Sequence, residues 1–105
     1  MNMTRIEMKK RFEEYFDAHF DEILSDLNEL ISIESAAAAP LEYRPYGQGS
    51  ADALAWAFKF MEEKVKMHTV NYGNYVVNGE CDINTPPVLA VLAHLDTVPA
   101  GEGWN

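Results

Sequence analysis

Val88-Leu-Ala-Val-Leu-Ala-His94-Leu-Asp96-Thr-Val-Pro-Ala-Gly-Glu-Gly-Trp104 carries six apolar residues in a row and then, two positions apart, an imidazole and a carboxylate. A run with no polar residue on either face reads as a strand of a parallel sheet covered on both sides, because an edge or one-sided strand alternates apolar with polar positions. Successive side chains of a strand point to opposite faces, so His94 and Asp96 are expected to project to the same side, roughly 6 to 7 Å apart. That is one way to build a metal site at the end of a sheet: one group binds and the other steadies it. By itself a His-x-Asp pair is a weak signal, and a structural histidine with satisfied nitrogens is the simpler account.

Such a strand needs neighbours, and the preceding chain supplies two helices and a little more sheet. Between about Thr4 and Ile33 the apolar residues Phe12, Phe16, Phe20, Ile23, Leu27, Leu30 and Ile31 recur every three or four positions, which predicts one long amphipathic helix. Its charged residues, from Lys9 to Glu29, read as a solvated face, and His19 among them needs no ligand role. Prolines and glycines in Ala39 to Gly49 predict a loop. Ser50 is then a fair N-cap, with Asp52 in the first turn. Ala51, Leu54, Ala55, Phe58, Met61 and Val65 follow at helical spacing, so a second helix is expected from about Ser50 to Lys66. After Met67 the vocabulary turns to strands, Thr69 to Tyr72 and Val76-Val77, with Asn78-Gly79 as a tight-turn signal and a polar loop from Glu80 to Pro87.

These elements give an α/β fold class: two amino-terminal helices packed on a small mixed sheet. The helices can cover one face of the Val88 to Ala93 strand, but little chain is left to cover the other, and an open apolar strand invites aggregation. On this reading the chain is incomplete.

Composition narrows the function classes. At 105 residues, 48% hydrophobic and 24% charged, the chain fits one soluble globular domain. Its net charge of −9 disfavours nucleic acid and anionic membrane as partners. The longest apolar stretch is far short of the roughly 18 residues that span a bilayer, and the charged amino end lacks the apolar core of a secretory signal, so a cytoplasmic address is expected. Cys81 is the single cysteine, which excludes an internal disulfide. Gly47-Gln-Gly49 is too short for a phosphate-binding loop and follows no strand.

The run His94-Leu-Asp96-Thr-Val-Pro99-Ala-Gly101-Glu-Gly103-Trp104 resembles the first metal-binding motif of the di-zinc metallopeptidases that include aminoacylases, carboxypeptidase G and PepV-type (Xaa-His) dipeptidases. Its Pro-Ala-Gly-Glu-Gly-Trp ending resembles the dipeptidase branch. Upstream, Asp26 to Ser35 is similar to the end of the family's first helix, Pro45-Tyr-Gly-Gln-Gly-Ser-Ala-Asp-Ala-Leu to the entrance of its second, and Tyr72-Gly-Asn-Tyr-Val to the strand before the metal strand. The likeness covers essentially the whole chain but only about the first quarter of a full enzyme.

The resemblance implies that residues 1–105 are the amino-terminal portion of a zinc-exopeptidase (phosphorylase/hydrolase-like) catalytic domain. The implied enzyme hydrolyses dipeptides or short peptides with two zinc ions. By the same resemblance His94 is a zinc ligand and Asp96 the catalytic-site carboxylate that orients its imidazole, a pairing that fixes the tautomer and raises ligand basicity. The family's bridging aspartate, Glu-Glu pair, further carboxylate and final histidine have no counterpart in these 105 residues. The chain alone is therefore expected to be inactive and to bind zinc weakly or not at all. His68 matches no family ligand, Glu102 reads as a solvent-facing loop carboxylate, and Trp104 reads as an anchor at the pocket mouth. The expected partners are a peptide substrate and either a second copy or the remainder of an enzyme. The alternative is a non-catalytic oligomerising or partner-binding domain in which His94 is a relic.

Overall fold

A computed structural model of the chain describes residues 2–103, and these divide into two compact units, 1–32 and 33–105. The composition is mixed α and β, as expected. The described residues form three α-helices, one π-helical turn and one two-stranded antiparallel sheet.

The first unit holds α1 (Arg5–Ala18) and α2 (Phe20–Ile31) where the periodicity predicts one helix. The break is a single residue wide. His19 leaves helical geometry (φ −113°, ψ 12°), yet its N–H still donates to the Tyr15 carbonyl and its own carbonyl still accepts from Ile23 N. The ring accounts for the interruption: it stacks on Tyr15 at 3.9 Å, and Nδ1 lies 2.8 Å from the same Tyr15 carbonyl. Thr4 begins α1 with a capping box, its hydroxyl accepting from Glu7 N while the Glu7 carboxylate accepts from Thr4 N. The apolar stripe is right in position but not covered within this unit: Phe12, Phe16, Phe20, Leu27 and Ile31 are exposed, and Ile23 and Leu30 are half-buried.

The second unit is built around α3 (Gln48–Lys59), which continues through a π-helical turn, Phe60–Lys64. The Ser50 N-cap expectation is corrected: the cap is Gly47, whose φ of +89° suits a residue without Cβ, and the helix starts two residues earlier. The helix also ends earlier, since Val65 N reaches back five residues to the Phe60 carbonyl and the chain then turns at Lys66 (φ +62°). Ala51 and Ala53 are buried, the latter completely, whereas Ala55 of the predicted stripe is exposed.

Strands β1 (His68–Tyr72) and β2 (Val76–Glu80) pair antiparallel, with His68 opposite Glu80 and Tyr72 opposite Val76, and α3 contacts both. The connection is three residues long, 73–75, and turns at Gly73-Asn74, both with positive φ, where Tyr75 N donates to the Tyr72 carbonyl. Asn78-Gly79, the predicted turn, instead lies inside β2. Gly79 is there for space: a Cβ would come within 2.8 Å of the sulfurs of both Met61 and Met67. The loop before α3 is tied to the hairpin by Asn74 Nδ2 donating to the Tyr43 carbonyl (2.8 Å) and by edge-to-face contact of Tyr46 and Tyr75.

The mixed sheet and the covered strand at Val88–Ala93 are also corrected. These residues form no strand ladder, and Val88 and Leu92 are almost fully exposed at 101% and 98%. The physical reason is the absence of a neighbour. A strand exists only through hydrogen bonds to another strand, and among the described residues no strand pairs with this run, β1 and β2 forming a two-stranded sheet by themselves.

After β2 the chain makes a turn stabilised by Asp82, which accepts from the Thr85 hydroxyl (2.6 Å) and from Asn84 N (2.9 Å). These two hydrogen bonds, the Thr85 one foremost, hold the carboxyl below its ordinary value of 3.8. Because the folded value is the lower one, the turn's stabilisation is present above about pH 4 and is lost as pH falls through the depressed value. NMR titration of the Asn84 and Thr85 resonances is expected to show a transition below 3.8. A transition at or above that value contradicts the assignment.

Candidate metal site

The His94-x-Asp96 pair sits where the tail after β2 meets the Ser35 segment of the same unit. Ser35, only 5% exposed, donates its hydroxyl to the Leu95 carbonyl at 2.8 Å. Its own carbonyl accepts from Thr97 N at 3.4 Å and from the Ser50 hydroxyl at 3.3 Å. Ala36 and Thr97 form an isolated parallel bridge. Residues 95 and 97 are thus attached, and Leu95 is half-buried.

Attachment of the odd positions leaves the even ones facing outward. The His94 and Asp96 side chains are 85% and 64% exposed, and they meet: His94 Nδ1 is 3.3 Å from Asp96 Oδ1 and 3.1 Å from the Asp96 carbonyl. The two side chains predicted to share a face therefore do so. Both contacts run through Nδ1. With the proton on Nδ1, directed at Asp96, the lone pair lies on Nε2, the tautomer that suits a metal ligand.

The other candidates are elsewhere. His68 opens β1 and is exposed, His19 is held against Tyr15, and Glu102 is exposed between two glycines of positive φ. Trp104 lies outside the described residues. Among the described residues no group of three or more His, Cys, Asp or Glu side chains could hold a metal ion. The donor set fits a zinc centre in part: it supplies one imidazole with a carboxylate behind it, where a catalytic zinc takes three protein ligands. No helix among the described residues is long and apolar enough to cross a membrane.

Ser35 and Ser50 escaped the sequence reading. Ser50 carried a signal, a small hydroxyl residue near a helix start, that pointed to capping; Ser35 carried none, because the carbonyl its hydroxyl reaches is sixty positions away.

Comparison with known proteins finds similarity to dipeptidases. The chain is 38% identical over 102 residues to the β-Ala-Xaa dipeptidase of Lactobacillus delbrueckii subsp. lactis, a match covering 93% of this chain and 21% of that protein. It is 31% identical over 98 residues to a provisionally named dipeptidase of Staphylococcus aureus strain USA300, covering 90% of this chain and 20% of that protein. The chain thus spans about a fifth of the length of the curated relatives it matches. No family model matches it. No solved structure matches it either.

Proposed function

On the premise that the chain is a relative of dipeptidases along almost its whole length, we propose that it works as part of the catalytic domain of a zinc-dependent dipeptidase, a cytoplasmic hydrolase of dipeptides or short peptides. The observation that carries the reading is the His94 and Asp96 pair, joined through Nδ1 with Nε2 left for a metal. In this reading His94 Nε2 holds one zinc, and Asp96 fixes the ring's tautomer and direction. The chemistry that zinc supplies when bound is polarisation of the substrate carbonyl and activation of water. The remaining ligands and the general base come from outside these 105 residues.

The exposed run Val88 to Leu92 belongs to the same reading. Four large apolar side chains left in water would each gain roughly 1.5 to 3 kcal/mol on burial. We infer that the rest of a longer enzyme covers the run.

A chimera tests both parts. This chain replaces the matching segment of the Lactobacillus β-Ala-Xaa dipeptidase, and hydrolysis of β-alanyl dipeptides is measured with amide exchange across Val88–Ala93. Retained turnover and strong protection of the run are expected. A folded, zinc-loaded chimera without turnover sinks the dipeptidase reading, and an unprotected run sinks the inference that it is covered. The 105-residue chain alone is expected to bind zinc weakly and to hydrolyse nothing. Turnover by the chain alone that vanishes in His94→Ala would show that the ligand set is not partial.

A further inference from the structure

We propose that Ser35, seconded by Ser50, is a positioning residue for the His94-x-Asp96 pair, a role that rests on the metal-site reading above. Ser35 is buried, and every polar atom it offers beyond its own N–H is spent on this one junction. Its hydroxyl grips the Leu95 carbonyl, and its carbonyl takes Thr97 N and the Ser50 hydroxyl. The two attachment points straddle Asp96, and the first is adjacent to His94.

In an extended segment, fixing the backbone at 95 and 97 and turning Leu95 inward leaves positions 94 and 96 no choice but the opposite side. The clamp thereby sets the direction in which imidazole and carboxylate project, and so keeps them within reach of each other. No ladder performs that task here, since the preceding run is unpaired. Ser35 itself is held from behind. Ser50 is fixed in the first turn of α3, and Gly49 lets that turn lie directly on the Glu34 carbonyl, where a Cβ would collide. The positions of the two serines therefore follow from the seating of α3.

The three hydrogen bonds are unequal. At 2.8 Å the Ser35 hydroxyl bond is well formed, whereas those at 3.3 and 3.4 Å are long. Ser35→Ala should accordingly exceed Ser50→Ala in effect.

The test uses the 105-residue chain, with zinc as the probe. Amide exchange of Thr97, the ring 15N shifts of His94 and calorimetric zinc affinity are measured for the parent chain, Ser35→Ala, Ser50→Ala and His94→Ala. In Ser35→Ala, Thr97 exchange is expected to rise about tenfold, the size of a single lost buried hydrogen bond. Exchange in the β1–β2 hairpin should stay at the parent rate. The His94 shifts should move from the Nδ1–H tautomer toward a mixture, and zinc affinity should fall roughly tenfold, as when a ligand's orienting partners are lost. Ser50→Ala should shift each quantity less. Unchanged Thr97 exchange and unchanged His94 shifts in Ser35→Ala overturn the proposal, as does a hairpin rise equal to that at Thr97, which would mean general unfolding rather than a released clamp. His94→Ala separates the two readings. If it leaves zinc affinity untouched the metal assignment fails, while Thr97 exchange and the parent ring's tautomer still decide the clamp.

Discussion

His94→Ala in the chimeric dipeptidase is expected to lower kcat/KM by about a thousandfold or more, with the protein still folded. The magnitude follows from what a catalytic metal contributes, several kcal/mol of charge stabilisation, at about 1.4 kcal/mol per tenfold in rate. Folding should be spared because the imidazole is 85% exposed and its contacts, made through Nδ1, reach only its near neighbour Asp96. Asp96→Ala is expected to cost less, about 10- to 100-fold, as for an orienting partner. Steady-state kinetics with metal analysis check both. A His94→Ala enzyme retaining full zinc and more than a tenth of its activity would remove this histidine from the metal centre.

Gly49→Ala should act through structure first, by unseating α3. The new Cβ would run into the carbonyl of Glu34, with the carbonyl carbon 2.9 Å away. Both are backbone-fixed, so relief requires moving the first turn of α3 off the Ser35 segment. Overpacking of this kind costs roughly 3 kcal/mol or more when nothing soft can yield, and small domains hold only about 5 to 15 kcal/mol in total. This unit is poorly placed to absorb the loss, because its most buried residues are small ones: Ala51, Ala53, Ser35 and Ser50. Gly79→Ala is the natural comparison. Its Cβ would crowd the sulfurs of Met61 and Met67, flexible side-chain ends that can swing aside, and a cost nearer 1 kcal/mol is expected. Thermal melts by circular dichroism should place Gly49→Ala well below Gly79→Ala. The reverse order would contradict the seating of α3 described above.

Much of the local structure is written in short-range pattern. The two helical regions, the loop between them, the strands on either side of Tyr72 to Val76 and the shared side of His94 and Asp96 all follow from spacing, because each depends on residues within a few positions. Errors arise where a residue's neighbours are distant. Asn78-Gly79 has a turn's composition, yet the two methionines that need the vacant Cβ position put it in a strand. Ser50 has a cap's composition, yet its partner is the Ser35 carbonyl. The break at His19 turns on a ring stacked on Tyr15, a contact that periodicity does not encode.

The sequence by itself determined the kind of elements as far as β2, the likeness to dipeptidases and the identity of the candidate ligand with its carboxylate, since these reside in residue types and their spacing. Tertiary structure decided the rest. It left Val88 to Leu92 without a ladder, because a strand's hydrogen bonds must come from a neighbour and no described strand lies beside this run. It also held the His94 and Asp96 side chains to one side through Ser35, because a backbone carbonyl and a buried hydroxyl sixty positions apart can find each other only once the chain has folded.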